Sequence, residues 1–517
     1  MRYFRLFGLF LLVLGLLLFS SSAFLTQHTW RAALVEEVIG DSTHRAAAAA
    51  QLAPMEGQTY SNAFAFASEA KAKLTAAGLP DYKVGEYTTA AAKKSVTGFV
   101  LGLSASALLL LSLLFGVGGA LMYILPQWGE SAGIRNDGIY HSAATRRGWL
   151  GIVVGTYLIG FYVLLYFYPQ YIVGWTLLLD PVSRALNGGE ASHWFVYGVL
   201  YCVCMLVMGA RMVLRYRHNR YQLLRTASVV FFQLGFAFML PEIMVSLNQP
   251  YMDLKNAFPL DYDMFFDYNI NKMVGAGADL GFARLGTLMF IWGIVLSVVI
   301  VPLMTYLYGK RWYCSWVCGC GGLAETLGDP YRQLSDKSVG AWKVERYMIY
   351  SVLVFVLIMT AAVLYTYFTG VQNVLFVSSG TLRTWYGFAI GSVFAGVVGT
   401  GFYPLMGNRV WCRFGCPLAA VMGIVQRFKS RFRITANGSQ CISCGNCSTY
   451  CEMGIDVRAY AQKGQDIVRA SCVGCGICAA VCPRGVLRLE NASDDIDTRA
   501  HTERALVISG DKIQLLQ

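Results

Sequence analysis

The sequence predicts an all-α polytopic membrane domain of about eight transmembrane helices, followed by a small cytoplasmic α+β domain. Of its 517 residues, 56% are hydrophobic and only 14% are charged, and the mean hydropathy is +0.48. Because soluble chains carry about 25% charged residues, this composition indicates an integral membrane protein. Repeated long apolar runs account for the membrane domain, and eight of the fifteen cysteines, grouped near the C-terminus, mark the second domain.

Eight apolar runs are long enough to cross a bilayer as helices. They lie near residues 5–25, 98–124, 149–169, 193–213, 226–247, 285–308, 347–369 and 384–407. The connecting segments form two alternating sets, one with fourteen basic residues and the other with five. The positive-inside rule places the set with fourteen, and with it both termini, in the cytoplasm. The basic residues behind the net charge of +12 are distributed along the membrane spans instead of clustering on a soluble domain. We therefore expect the membrane, and not nucleic acid, as a partner.

The N-terminal part divides into an anchor and an exported segment. Residues 1–25 are interpreted as an uncleaved membrane anchor, although Arg2, Arg5 and the stretch SSSAF also fit a secretory signal cleaved after Ala23. Residues 26–97 are Ala-rich and mostly helical in pattern. They contain two histidines, His28 and His44, and no cysteine, so no metal site is expected there. Residues 98–425 form the predicted transmembrane domain.

Two cysteine runs near the C-terminus share the spacing C-x2-C-x2-C-x3-C, namely CISCGNCSTYC at 441–451 and CVGCGICAAVC at 472–482. In such runs three cysteines bind one [4Fe-4S] cluster and the fourth binds the other. The spacing therefore predicts a 2[4Fe-4S] ferredoxin-like domain within residues 426–490, before a polar tail at 491–517. The ligand sets are Cys441, Cys444, Cys447 and Cys482 for one cluster, and Cys472, Cys475, Cys478 and Cys451 for the other. Zinc knuckles and disulfides are the alternatives, and both fit the spacing or the reducing compartment less well.

A shorter cysteine motif occurs twice where a predicted span leaves the membrane. RWYCSWVCGCGG at 311–322 and WCRFGCPLAA at 411–420 both place C-x3-C beside tryptophan. The repeat predicts that four thiols meet at the cytoplasmic face and hold a third metal or iron–sulfur centre, with Cys320 as a spare. These four are Cys314, Cys318, Cys412 and Cys416. The alternative is that they pack as small apolar side chains. If each motif occupies one helical turn, its two sulfurs point the same way.

Together, the repeated C-x3-C motif and the double cysteine run resemble the membrane-bound polyferredoxins of the NapH/NosR/CcoG type, over roughly residues 285–490. Pro417 after Cys416 matches the C-x3-C-P motif of that family, whereas Gly319 replaces the proline in the first copy. Glu452 also stands where the ferredoxin run usually has proline. The resemblance implies a bacterial inner-membrane protein that passes electrons for respiratory reductases or for assembly of their metal centres.

Three further features of the sequence carry weaker expectations. Cys202 and Cys204 lie within a predicted span and are interpreted as small apolar residues. Glu242 is either a proton acceptor for quinol at membrane depth or a helix-end residue near the outer interface. The basic segment 426–434 is expected to lie along the anionic inner leaflet and to tether the ferredoxin-like domain.

These features predict a membrane electron carrier, with no catalytic residue assigned. It would relay single electrons between a membrane quinone pool, or a membrane redox partner, and other redox proteins of a respiratory chain. One alternative is a maturation factor that reduces metal or thiols for another enzyme. The other is a relay or structural subunit of a larger respiratory complex.

Overall fold

The computed structural model describes residues 2–98, 102–130, 132–133, 147–274, 280–371, 373–374, 376–491, 506–509 and 512–515. Within these ranges the chain is mostly helical, and seven helices are long and apolar enough to cross a membrane. They are Arg2–Phe24, Ser104–Gly129, Trp149–Phe167, His193–Tyr216, Arg220–Ser246, Leu285–Tyr308 and Val339–Thr369. The prediction of a helical, multi-pass membrane domain is confirmed.

The eighth predicted span, 384–407, is built differently and is not among these seven helices. Residues 384–401 belong to a helical run over 379–401, formed by Ser379–Tyr386, the π-helical segment Gly387–Val398 and the turn Gly399–Gly401, and the predicted span ends in the separate short helix Tyr403–Met406. Glycine, serine and threonine dilute its apolar residues and lower its hydropathy. A helix of this length still extends about 34 Å, which is enough to cross the hydrocarbon core.

The chain forms two compact units, the first of which comprises residues 1–131, 160–207 and 242–247. It includes residues 26–97, the segment predicted to be exported, which contain four α-helices, Val35–Val38, Ser42–Leu52, Ala63–Ala76 and Asp81–Lys94. The sequence pattern did not predict the small antiparallel sheet, in which Gln27–Thr29 lies between Thr59–Tyr60 and Val96–Thr97. This unit also includes the helix Val173–Asn187, where Asp180 accepts a hydrogen bond from Lys93 of the exported segment, at 3.0 Å.

The first helix packs closely against the helix Gly102–Ile124 through paired glycines. A Cβ atom on Gly15 would lie 2.3 Å from the backbone nitrogen of Gly116, and one on Gly119 would lie 2.5 Å from the carbonyl oxygen of Gly8. Only glycine permits such close backbone approach, which is typical of helix pairs within membranes. This contact favours retention of the first helix as an anchor, and that retention stays a prediction.

His28 is the buried polar centre of the exported segment. Its ring nitrogens lie 3.1 Å from Ser95 Oγ and 3.0 Å from Thr26 Oγ1, and its ring stacks on Phe66. Burial lowers the pKa of His28 to about 4, from the ordinary value of 6.5, because the charged ring would lose its water. His28 is thus a neutral residue of the buried core.

We expect the exported segment to lose stability as the pH falls from about 6.5 towards about 4. The unfolded chain binds the His28 proton more readily than the folded chain, so the stabilisation is complete above this window and lost within it. The full effect is on the order of 3 kcal/mol. Hydrogen exchange of residues 27–97, corrected for intrinsic rates, measures it. His28→Gln should flatten the dependence, and an unchanged dependence in that variant would show that another group is responsible.

The second compact unit comprises residues 132–159, 208–241 and 248–517. Several of its helices continue through π-helical segments, at Phe232–Met239, Leu296–Ile300 and Gly387–Val398. Its shorter helices include Asp267–Val274, Arg311–Cys314, Gly319–Thr326, Tyr403–Met406, Val410–Phe414 and Pro417–Phe428. A two-stranded pair, Asn373–Val374 with Val377–Ser378, follows the helix Val339–Thr369. The buried core of this unit runs continuously from its membrane helices into its C-terminal domain.

The C-terminal domain has the expected small α+β form. Strand Phe432–Ala436 pairs antiparallel with Leu487–Asn491, and the three helices between them are Asn446–Thr449, Val457–Gln462 and Ile477–Ala480. The basic segment 426–434 is therefore not a free surface tether, because its second half belongs to the sheet and Phe432 is buried. Most of the predicted polar tail, 491–517, lies outside the described residues, apart from Asn491 and the hairpin of Leu506–Ser509 with Lys512–Leu515.

Candidate iron–sulfur sites

The structure gathers the eight C-terminal cysteines into the two sets that their spacing predicts. Cys441, Cys444, Cys447 and Cys482 line one cavity. Burial raises the pKa of Cys447 to about 11, and the other three cysteines of this set add to the shift. Burial also raises the pKa of Cys478, with added contributions from Cys475, Cys472 and Cys451 and, last, from Cys447 of the first set. Four thiols that face one another in each set are the donors that a [4Fe-4S] cluster requires, so both sets fit such a cluster.

The two cysteine runs have the same backbone, which explains why their sequences match. Ser443 and Gly474 occupy equivalent positions with φ of 59° and 63°, and Gly445 and Gly476 follow with φ of 80° and 75°. These left-handed turns let the chain curl around a group bound by the cysteines. A Cβ on Gly474 would lie only 2.6 Å from Arg311 Cβ, so the second run requires glycine where the first tolerates serine.

The second cysteine run is held against the segments that leave the membrane domain. Six side chains of those segments donate hydrogen bonds of 2.7–2.9 Å to the carbonyl groups of residues 470 and 472–475. Lys310, Gln426, Ser315 and Tyr221 donate to the carbonyls of Ala470, Cys472, Val473 and Gly474, respectively, and Gln222 and Arg225 both donate to the carbonyl of Cys475. The run is thereby fixed in place against the membrane-exit motifs.

The first cysteine set, by contrast, is partly open to solvent. Cys444 is exposed, Cys441 and Cys482 are half-buried, and Ile442 beside them is 57% exposed. Cys447 is the one buried cysteine of this set, whereas three cysteines of the second set, Cys451, Cys472 and Cys478, are buried and Cys475 is half-buried. The two sets therefore differ in access: one faces the membrane domain and the other faces solvent, where a partner can approach.

The two membrane-exit motifs share one local structure. Gly309 and Gly407 have φ of 68° and 93° and each is followed by a short helix, Arg311–Cys314 or Val410–Phe414. The second cysteine of each motif then begins another helix. The backbone nitrogen of Cys318 donates to the carbonyl of Tyr313 at 2.8 Å, and that of Cys416 donates to Trp411 at 3.0 Å.

The structure of the repeat corrects one expectation from the sequence and explains one departure from the family motif. Neither C-x3-C lies on a single helical turn, because the chain breaks between the two cysteines and the second one is the N-cap of the next helix. Gly319 and Pro417 both occupy the first position of that helix, where proline fits because no hydrogen bond of its nitrogen is needed. The loss of proline in the first copy therefore leaves the turn unchanged.

The four membrane-exit cysteines come together and are buried. Their exposed fractions are 5–7% for Cys314, Cys318, Cys412 and Cys416. Burial raises the pKa of Cys416 well above its ordinary value, and the other three cysteines raise it further. Cys320 is exposed, and its thiol donates to Cys318, which lowers the pKa of Cys318 below its ordinary value. Across the described part of the chain, no three His, Cys, Asp or Glu side chains are spaced to bind a single metal ion.

A buried ion-pair network connects the membrane-exit motifs to the end of the first cysteine run, at Cys451, which we assign to the second ligand set. Arg409 donates to the carbonyl of Cys314 at 3.1 Å and lies 3.7 Å from Cys412 Sγ. Its guanidinium also pairs with Glu325 and, at 3.1 Å, with Glu452, which follows Cys451 directly. The remaining members are Arg225, which pairs with Glu325, and Arg332, which pairs with Glu452 and Asp329.

Glu452 is fully buried within this network. Burial alone would raise its pKa, but Arg409 and Arg332 outweigh that effect and lower the pKa of Glu452 to about 2. Glu452, which stands where such runs usually have proline, is therefore a buried anion that binds the end of the first cysteine run to two arginines. The arginines themselves were missed in the sequence analysis, and the unusual Glu452 was the one signal that pointed to them.

The weaker candidates of the sequence lie apart from these sites. Glu242 accepts a hydrogen bond from Asn187 Nδ2 at 2.6 Å, in the same unit as the exported segment. Both interpretations of Glu242, as a proton acceptor for quinol and as a helix-end residue, stay predictions. Cys202 and Cys204 lie within the apolar helix His193–Tyr216, as expected for small apolar residues.

Comparisons with known proteins agree with both kinds of motif. Residues 440–487 match the 4Fe-4S dicluster domain, and residues 290–339 and 386–435 each match the 4Fe-4S binding domain. The two latter matches coincide with the two membrane-exit motifs. Both places where the sequence predicted sulfur ligands thus match models of 4Fe-4S-binding domains, while the number of clusters, the third centre and the assignment of each cysteine as a ligand stay predictions.

Two curated relatives match part of the chain. YccM of Escherichia coli, named as an electron transport protein, is 26% identical over 166 residues, which are 29% of this chain and 43% of YccM. The methylamine utilization ferredoxin-type protein MauN of Methylobacillus flagellatus is 29% identical over 171 residues, 30% of this chain and 53% of MauN. The chain thus spans about half the length of these relatives. No solved structure matches it significantly. The resemblance to membrane polyferredoxins is confirmed.

Proposed function

We propose that this chain is an inner-membrane electron-transfer protein that relays single electrons between a membrane quinone pool, or a membrane redox partner, and other redox proteins. The observation that carries the proposal is the difference between the two ferredoxin-like cysteine sets. One set is bonded to the membrane-exit motifs and the other is open to solvent. A [4Fe-4S] cluster supplies reversible one-electron chemistry when bound.

The ligands we assign follow from the grouping of the thiols. Cys441, Cys444, Cys447 and Cys482 would hold the solvent-facing cluster, and Cys472, Cys475, Cys478 and Cys451 the buried one. We assign a third iron–sulfur centre to Cys314, Cys318, Cys412 and Cys416, because the four thiols converge and both motifs match a 4Fe-4S binding domain. The three sets follow one another from the membrane-exit motifs to the exposed loop. The maturation-factor and complex-subunit alternatives use the same three sets and differ in the acceptor.

Substitution of Cys475 by serine should remove the buried cluster and spare the solvent-facing one. Anaerobically purified protein should then lose about four irons per chain and retain the paramagnetic signal of the cluster bound at Cys441. Iron and sulfide analysis with low-temperature electron paramagnetic resonance measures both quantities. An iron content near four in the intact wild-type protein would contradict the assignment of two ferredoxin-like clusters.

The ferredoxin-like domain should face the cytoplasm and residues 26–97 the exported side. This prediction rests on the uneven division of basic residues between the connecting segments. The contact of Arg409 with Cys314 adds to it, because two membrane-exit motifs that meet require the helix Val339–Thr369 and the run 379–401 to cross in opposite directions. Reporters fused after Gln517 and inserted at Gly78 should give cytoplasmic and exported signals. An exported signal from Gln517 would overturn the proposed arrangement.

A further inference from the structure

A cavity of about 240 Å³ lies between the membrane-exit motif at Cys412 and the start of the second cysteine run. The cytoplasmic turns of the helix Val339–Thr369 form one wall, and the apolar helix Pro417–Phe428 forms another. The third wall comes from Arg469, Ala470 and Ser471, just before Cys472. Apart from Cys412, which lines it on one side and is assigned above to the third centre, none of its lining residues has an assigned function.

The lining of the cavity is strongly cationic. Five basic side chains contribute to it, and the one carboxylate among the lining residues is Glu345. That carboxylate is already bound by Arg413, whose Nε donates to Glu345 Oε2 at 2.8 Å. The other four cations, which are Lys310, Arg346, Arg427 and Arg469, therefore have no carboxylate in the lining. Such an excess of positive charge around an enclosed space favours an anionic ligand.

Arg413 provides an independent sign of a missing acceptor. Its side chain lines the cavity and only 3% of the residue is exposed. Nε and Nη1 are satisfied by Glu345 and by the carbonyl of Asp336, whereas Nη2 is buried and has no hydrogen-bond partner among the described residues. A buried guanidinium nitrogen left unpaired is costly, and arginine is the side chain that best binds phosphate oxygens.

Apolar and aromatic side chains next to the cavity are exposed on the surface. Phe428 lines the cavity and is 71% exposed, and Ile424 on the same helix is 41% exposed. Tyr347, on the first turns of the adjoining membrane helix, is 78% exposed. An aromatic and aliphatic surface next to cationic side chains, at the end of a membrane helix, is typical of the headgroup region of a bilayer.

We propose that this cavity binds the phosphate headgroup of an anionic phospholipid, with Arg413 and the neighbouring cations around the phosphate and the acyl chains over Phe428. A free phosphate compound shares the charge but offers nothing for the exposed apolar surface. The lipid would thereby hold the membrane end of Val339–Thr369 against the segment that precedes Cys472. The proposal concerns lipid binding alone and does not depend on the proposed electron-transfer function.

The test compares two double variants of the full-length protein in non-ionic detergent by native mass spectrometry. Arg346→Gln with Arg427→Gln removes two exposed cations that line the cavity. Lys343→Gln with Lys429→Gln removes two exposed cations from neighbouring positions outside the lining. Each protein is titrated with phosphatidylglycerol and with phosphatidylcholine of the same acyl chains, and glycerol phosphate is added as a soluble competitor. Iron content and gel-filtration profile report whether each variant is folded.

We expect wild-type protein to prefer phosphatidylglycerol, and the first double variant to bind it more weakly by on the order of tenfold or more. The lysine variant should change this affinity by less than about twofold. Equal loss in both variants would show general surface attraction and overturn the site. Equal affinity for phosphatidylcholine would overturn recognition of an anionic lipid. Displacement by glycerol phosphate at equal concentration would assign the cavity to a soluble phosphate ligand instead.

Discussion

Replacing Cys314 and Cys412 by serine together is expected to remove about four irons per chain and to leave the two ferredoxin-like clusters in place. One cysteine is lost from each copy of the membrane-exit motif, so two of the four convergent thiols disappear. Hydroxyl groups are poor ligands for iron in such a centre, which soft thiolates bind well. Iron and acid-labile sulfide per chain measure the loss, and electron delivery to the remaining clusters should fall with it.

The matched control is the double substitution Cys202→Ser with Cys204→Ser. These two cysteines lie within a membrane helix, away from the proposed ligand sets. The control should keep the iron content and electron delivery of the wild type. If the Cys314 and Cys412 double variant also keeps both while it remains folded in the membrane, the membrane-exit thiols are structural and the third centre does not exist.

Glu452→Gln is expected to destabilise the protein by about 3–5 kcal/mol, which is typical for breaking a buried ion pair. The carboxylate pairs with Arg332 at 2.6 Å and with Arg409 at 3.1 Å, and all three side chains are almost completely buried. Glutamine keeps the shape but leaves two buried guanidinium groups with less compensation. The temperature at which cluster absorbance is lost in the anaerobic protein reports the change.

Asp267→Asn is the control for this experiment. Asp267 also pairs with an arginine, Arg383, but the pair is largely exposed to solvent, and exposed pairs contribute at most about 1 kcal/mol. The control should therefore unfold close to the wild-type temperature. Equal behaviour of Glu452→Gln and Asp267→Asn would show that the buried network does not fasten the ferredoxin-like domain.

The cysteine sets could be predicted from sequence because cluster ligation is encoded locally. The spacing of Cys441 to Cys451 and of Cys472 to Cys482 specifies how three thiols reach one cluster. The repeated C-x3-C likewise indicated that Cys314 and Cys412 belong together, and the structure brings them together. Hydropathy identified seven helices for the same reason, since each apolar run signals its own burial in lipid.

Long-range partners could not be predicted in this way. The pairing of Arg409 with Glu325 and Glu452 joins residues far apart in sequence, and no local pattern states which charges will meet. The small sheet that includes Gln27–Thr29 consists of strands of two or three residues, too short for alternation to be visible. The run 379–401 was placed a few residues late because glycine and serine obscure where its helix begins.

The central claim is that electrons pass between the membrane and the solvent-facing cluster through the buried cysteine set. The direct test is low-temperature electron paramagnetic resonance of native membranes whose donors are reduced with a respiratory substrate. In the wild type, the cluster held at Cys441 should be reduced. In Cys475→Ser it should stay oxidised with the substrate, yet be reduced by dithionite. Equal reduction by the substrate in both proteins would contradict the proposed path.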